Sequence, residues 1–211
     1  MIQKEARLEL IVGTMFGGKS TELIRKIKRY EIVGREVQVF GPAIDTRYGK
    51  DSITSHDRLR WKANYVGSTQ ELTGKVLPHT QVIGIDEVQF FDSAIIDACE
   101  NYANQGKIVI AAGLLKDFKD EYFSFKDGKK NMSDLLRAAD TTTILTAICD
   151  ARNGGGEICG NEATRVQRFL DGQVAPYDSP VVQVGGKEDY APRCRQHYQF
   201  YNIKNTTKRG N

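Results

Sequence analysis

Two stretches of this sequence combine residue types whose chemistry depends on their spacing. The first, Gly13-Thr14-Met15-Phe16-Gly17-Gly18-Lys19-Ser20, fits the pattern G-x-x-x-x-G-K-[ST]. Glycines at these positions let successive backbone N–H groups turn inward around phosphate oxygens, where side chains would block them. A helix starting at the end of such a loop points its positive end at the same anion. Lys19 supplies a point charge for the β- and γ-phosphates, and the Ser20 hydroxyl supplies a ligand for Mg²⁺. With glycine at about 7% of ordinary sequences, a chance match in a chain of 211 residues is roughly a 1% event. The second stretch is Asp86-Glu87, which ends the apolar run Val82-Ile83-Gly84-Ile85. An acid at that point is where a phosphate-loop protein places its second magnesium contact, so Asp86 takes that part. Glu87 can either accept the proton of an attacking hydroxyl or orient a water for hydrolysis. The pair alone leaves the acceptor open.

A third group lies near the C-terminus. Cys149, Cys159 and the run Cys194-Arg-Gln-His197 offer three thiolates and one imidazole, the set of a closed tetrahedral structural Zn²⁺ site. Two residues between Cys194 and His197 let both reach one ion from a single turn, whereas nine separate Cys149 from Cys159. Cys99 falls on an apolar helix face and reads as core.

These residues need elements to hold them. Leu8 to Gly13 reads as a strand entering a buried sheet, and Leu23, Ile24, Ile27 and Tyr30 recur at helical spacing up to Gly34. Arg25, Lys26, Lys28 and Arg29 lie largely on the opposite side, as a solvated face. Further strands are expected over Glu36 to Gly41, Gln81 to Asp86, Lys107 to Ala112 and Thr142 to Ile148. A helix carrying Ile95, Ile96, Cys99, Tyr102 and Ala103 stops at Gly106. Pro42 to roughly Gly74 is polar with few periodic apolar positions, and reads as a long functional or mobile loop. Alternating strands and helices imply an α/β fold with a parallel sheet covered on both faces. The composition changes after Cys149, so a boundary is expected near Thr146: residues 1–146 hold the nucleotide, 147–200 the metal, and 201–211 form a disordered tail.

The bulk properties set outer limits. Net charge is +3, too mild to demand a nucleic-acid partner, and no apolar run is long enough to cross a membrane. The N-terminus carries no apolar stretch ahead of the first strand, so the expected location is cytoplasmic. A phosphate-loop ATPase gripping DNA through a zinc ribbon is the competing class, against which stand the mild charge and the lack of a compact basic, aromatic patch.

Taken together, the motifs resemble the type II (cellular-type) thymidine kinases over most of the chain. The resemblance is carried by Gly13 to Ser20, Asp45-Thr-Arg-Tyr48, Ser55-His-Asp-Arg58, Asp86-Glu-Val-Gln-Phe-Phe91 and Gly185-Gly-Lys-Glu-Asp-Tyr190, which leads into Cys194-Arg-Gln-His-Tyr198. It implies a RecA-like phosphate-loop sheet with helices on both faces, plus a small C-terminal zinc-binding domain whose lasso loop closes over the nucleoside. It implies transfer of the γ-phosphate of ATP to the 5′-hydroxyl of thymidine, giving thymidine monophosphate for DNA precursor synthesis. Glu87 then matches the general base. Asp45, Arg47, Asp86 and Gln89 join the phosphate loop in the ATP- and phosphate-binding set. Met15, Phe90, Leu114, Phe118 and Phe123 match the wall of the thymine pocket, and Val181, Gln183, Gly185 and Tyr190 match the lasso. The resemblance also implies Mg²⁺ and structural Zn²⁺, feedback inhibition by thymidine triphosphate, and a homotetramer. Departures from the family pattern are Thr14 for a common proline, Val88 for a common glycine, Val166 for a frequent threonine beside the base, and the insertion from Asp150 to Ile158.

Overall fold

The computed structural model describes residues 6–43, 52–54, 60–182 and 189–199. In chain order they form β1 (Arg7–Gly13), α1 (Lys19–Ile32), β2 (Val37–Pro42), β3 (Ser52–Thr54), β4 (Arg60–Lys62), β5 (Asn64–Val66), α2 (Thr69–Lys75), β6 (Val82–Ile85) and α3 (Ala94–Asn104). There follow β7 (Ile108–Leu114), α4 (Met132–Ala138), β8 (Thr141–Leu145), β9 (Ala147–Ile148), β10 (Glu162–Ala163), β11 (Arg165–Leu170), β12 (Gln173–Val174) and β13 (Tyr190–Arg193).

Six strands make one sheet in the order β5-β2-β6-β7-β1-β8, with every pair parallel. Its central strands β6, β7 and most of β1 are buried on both faces, as a sheet covered by helices on both sides requires, whereas the edge strand β8 is largely exposed. Leu8, Leu10 and Val12 of β1 join Ile83, Ile85, Val109 and Ala111 in a core that α3 closes with Ile95, Ile96 and Cys99. Met132 and Leu135 of α4 belong to the same core. On the other face Ile11, Val82, Ile108 and Ile110 meet Leu23, Ile24 and Ile27 of α1. Glu9 is buried on that face, and its carboxylate accepts hydrogen bonds from Lys26 and Arg7, both at 2.6 Å. Burial pushes the Glu9 pKa up, but these two cations outweigh it and hold the carboxyl below its ordinary value. Lys26 therefore ties α1 to β1, while Arg25 pairs with Glu22 along the helix.

The structure corrects the reading of 42–74 as a long loop. That stretch contains the β3–β4 hairpin, the edge strand β5 and the helix α2, and it places Val66 and Leu72 in the core. The strand expected over Thr142 to Ile148 divides at Thr146. β8 completes the large sheet, whereas β9 turns away to pair antiparallel with β10. β11 then lies between β12 and β13 in a small antiparallel sheet.

Candidate active site

The phosphate loop joins the C-terminal end of β1 to the N-terminus of α1, so the first turn of that helix faces whatever the loop surrounds. Gly18 has φ 80°, and a β-carbon on Gly13 would lie 2.1 Å from the Leu145 carbonyl oxygen of β8. The neighbouring strand thus excludes a side chain at Gly13, and the backbone conformation disfavours one at Gly18. Lys19 is buried, and its ammonium donates to the Thr14 carbonyl oxygen at 2.8 Å. Burial pushes the ammonium pKa down, and the nearby Glu87 and Asp86 pull it back up.

The two acids follow β6 directly. The Ser20 hydroxyl donates to Asp86 Oδ1 at 3.2 Å, so a hydroxyl and a carboxylate meet beside the loop. Two hard oxygen donors next to an anion cradle suit Mg²⁺, which binds through few protein ligands and completes its shell with phosphate and water. Burial, and then the charge of Glu87, raises the Asp86 pKa to about 7. A carboxyl with a folded-state pKa above its unfolded value contributes stability that is full below roughly pH 4 and lost as pH rises through about 7. The melting temperature of nucleotide-free, magnesium-free protein is therefore expected to fall relative to Asp86→Asn between pH 5 and 8. Scanning calorimetry of both proteins checks this, and a constant difference over that range would contradict it.

Glu87 adopts φ 50°, an uncommon conformation for a residue with a β-carbon, immediately before the 3₁₀ turn Val88–Phe90. Gln89, fully buried, holds it there. Its amide nitrogen donates to Glu87 Oε2, and its amide oxygen accepts the Leu114 N–H at 3.0 Å from the end of β7. A β-carbon on Gly113 would come within 2.4 Å of that amide oxygen and 2.9 Å of Val88, so the turn packs flat on the strand. Gln89, grouped with the phosphate-binding residues by resemblance, thus reaches the carboxylate and the strand end.

The described residues expected to line a nucleoside pocket fall into two clusters. Phe90 and Phe123 meet edge-to-face, with centroids 5.6 Å apart, in the cluster that also receives Leu114 and Val181. Phe118 and Tyr190 form a second cluster with Val166 and Ala175, against which Met15, Phe16 and Val181 pack. Val181 touches both clusters and joins them. Val166, where a threonine hydroxyl would add a polar contact, contributes only apolar surface here. The expected residues Asp45, Arg47, Gln183 and Gly185, and the segments around them, lie outside the described residues.

Sequence reasoning misses Arg168. It is 2% exposed, its guanidinium stacks 5.3 Å from the Phe118 centroid and 5.9 Å from that of Tyr190, and one NH₂ group donates to the Pro180 carbonyl oxygen. The pattern carries no signal for it, because Arg165, Val166, Gln167 and Arg168 are all buried although they alternate in facing along β11.

Cys149, Cys159, Cys194 and His197 bring their ligand atoms within 4.8 Å of one another, and all four cysteines of the chain are free thiols. Cys159 Sγ and Cys194 Sγ are 3.9 Å apart. His197 Nδ1 lies 3.7 Å from Cys149 Sγ and 3.4 Å from Cys194 Sγ. A tetrahedral zinc with Zn–S bonds of ~2.3 Å has edges of roughly 3.5–3.8 Å between its ligands, so the donor set fits the ion in type and spacing. The insertion does not disturb this arrangement. Asn153 to Glu157 close an exposed turn stapled by the Asn153 carboxamide, and the backbone N–H of Cys159 returns to the Ala151 carbonyl at 2.8 Å.

Comparisons with known proteins point to one family. The family described as "TK: Thymidine kinase" matches residues 6–198. A thymidine kinase of Thermococcus kodakarensis is 42% identical over 196 residues, covering 90% of this chain and 93% of that protein. A likeness to the Legionella pneumophila ATPase DotB, with 17% identity and a TM-score of 0.34 over 55% of this chain and 32% of that one, is too slight to carry an argument. A match that spans the phosphate loop, the acid pair and the cysteine knot in one alignment makes the chain a member of the thymidine kinase family.

Proposed function

We propose that this family member is an ATP:thymidine 5′-phosphotransferase with Glu87 as its general base. The observation that carries the reading is the station of Glu87. Its charge acts on Lys19 of the phosphate loop, and its carboxylate accepts the Gln89 amide that also holds the Leu114 N–H, next to the cluster of Phe90, Leu114 and Phe123 in sequence and hydrogen bonding. A group so placed can serve a hydroxyl that must approach a γ-phosphate from the nucleoside side.

In this reading the triphosphate lies along Gly13 to Ser20, with Lys19 against the β- and γ-phosphate oxygens. Ser20 and Asp86 would hold Mg²⁺, which would supply positive charge to the phosphates. Glu87 accepts the proton of the thymidine 5′-hydroxyl, the new bond forms from O5′ to the γ-phosphorus, and the bond to the β–γ bridging oxygen breaks to release ADP. Met15, Phe118, Phe123, Val181 and Tyr190 enclose the base and sugar, and the family resemblance assigns main-chain hydrogen bonds with the base to the lasso, the stretch that includes Gln183 and Gly185. A base that leaves such desolvated groups unpaired forfeits ~1–3 kcal/mol per group.

The reading extends to a division of the chain near Thr146, into a nucleotide-binding part and a zinc-held lasso part. It extends also to inhibition by thymidine triphosphate in the nucleoside site, a homotetramer and a cytoplasmic setting. Among the described residues no helix is long and apolar enough to cross a membrane. Incubation with γ-labelled ATP and thymidine is expected to yield labelled thymidine monophosphate. Release of free phosphate that DNA stimulates, with no thymidine product, would replace this reading with that of a DNA-acting ATPase.

A further inference from the structure

Phe16 is the bulky member of the few residues other than glycine with positive φ, at 65° in the middle of the phosphate loop. Asp tolerates that region, but an aromatic residue is strained there and stays only where its surroundings fix it. Here the surroundings are two separate clusters. Phe16 packs against the group of Phe118, Val166 and Tyr190, and also against the group of Ala147, Cys149, Ala163 and Cys194. The second of these is the wall of the cysteine knot.

The neighbouring residue makes a second tie. Thr14 Oγ1 donates to the Ala163 carbonyl oxygen at 3.3 Å, in a buried position. Ala163 pairs with Ala147 across β9 and β10, two residues from Cys149. The Thr14 carbonyl is also the acceptor for Lys19. The segment that the metal ligands organise is thus joined to the triphosphate loop by the packing of Phe16 and by the Thr14–Ala163 hydrogen bond.

We infer that Phe16 and Thr14 are positioning residues through which the zinc knot sets the conformation of the phosphate loop, so that zinc and triphosphate bind with positive coupling. The inference rests on the zinc and triphosphate sites proposed above. Coupling between two sites is reciprocal: if zinc favours the loop conformation that takes the triphosphate, the triphosphate must favour zinc by the same factor.

The test is a competition titration of the zinc-loaded protein against a chromogenic chelator, with and without magnesium and a non-hydrolysable ATP analogue. Nucleoside is omitted, because it would act through the lasso. The analogue is expected to raise the apparent zinc affinity of the wild-type protein about fivefold, the low end of typical allosteric coupling. Phe16→Ala should reduce that ratio below about twofold, and Thr14→Val should reduce it in part, giving a second variant of nearly unchanged size. Equal zinc affinity with and without the analogue in wild-type protein, or an undiminished ratio in both variants, would overturn the inference. Protein that holds no zinc, or binds no analogue, would remove the proposed function and this inference together, whereas intact binding of both without coupling would remove the inference alone.

Discussion

Glu87→Gln is expected to lower turnover at least ~10²-fold while leaving ATP affinity nearly unchanged, because the substitution takes away a proton acceptor and little else. Glutamine has the shape of glutamate, and its amide oxygen can still accept the hydrogen bond that Gln89 now gives to Glu87 Oε2. The unusual φ of 50° and the packing of Val88 on Gly113 involve the backbone and Val88, so neither depends on the Glu87 charge. What changes is the step in which the 5′-hydroxyl becomes a nucleophile. An interaction made chiefly in the transition state is lost as kcat, with little change in the binding of the donor. The charge has a second effect that separates this variant from a merely damaged one. Glu87 is the second cause of the raised Asp86 pKa, so its neutralisation should let Asp86 ionise at lower pH and shift the acid limb of nucleotide binding downward. Steady-state kinetics and equilibrium dialysis across pH 5 to 8 read both effects. A variant with wild-type turnover would take Glu87 out of the chemistry, whatever its place in the fold.

How far the site is legible in the sequence follows from how local its causes are. Gly13 to Ser20 is contiguous, and its flanking strand and helix announce themselves by apolar runs and helical spacing, so the residues alone identify the loop. Asp86 and Glu87 are readable because a strand end is a fixed place in a parallel sheet, and the acids occupy it. The stretch from 42 to 74 is not, because β5 is a three-residue edge strand and α2 has a short buried face. Both take their order from neighbours in the sheet and core, and so present little pattern of their own. The part Gln89 plays is hidden for a different reason. Its meaning depends on the Leu114 N–H, 25 residues away, and on the absence of a side chain at Gly113. Arg168 is silent because β11 is buried on both faces, which erases the alternation that marks a half-exposed strand. The cysteine knot is suggested by residue type but needs the fold to close it. The insertion that widens its spacing leaves the cluster as an exposed turn.

Cys194→Ser is expected to have an effect of similar size through an entirely different route. Cys194 is the ligand that lies nearest His197 Nδ1 and also faces Cys159, so its loss removes a corner of the tetrahedron and the three edges that meet there. The region around it has few other means of support. Its buried apolar groups are the small side chains of Ala147 and Ala163 together with Cys149 and Cys194, with Phe16, Ala151 and Cys159 packed against them, whereas the central sheet has long Ile, Leu, Val and Phe side chains on both faces. A hydroxyl in place of a thiolate binds zinc poorly, and structural zinc sites of this type contribute ~10–16 kcal/mol to the folding of domains too small to fold alone. The variant should therefore hold well under one zinc per chain and lose protease resistance after Leu145, while the six-stranded sheet still unfolds cooperatively. Val181 and Tyr190 would then no longer keep their places in the proposed nucleoside pocket, and a misplacement of about 1 Å in such a wall costs roughly 10²-fold in rate. The triphosphate site, built mainly on β1, α1 and β6, should weaken far less. Thymidine phosphorylation and nucleotide binding would thus part company, as they do in Glu87→Gln, but here with zinc content and proteolysis changing too. A Cys194→Ser protein that keeps its zinc, its protease resistance and its turnover would show that this region folds on its own contacts and that the four ligand atoms converge without a metal to hold.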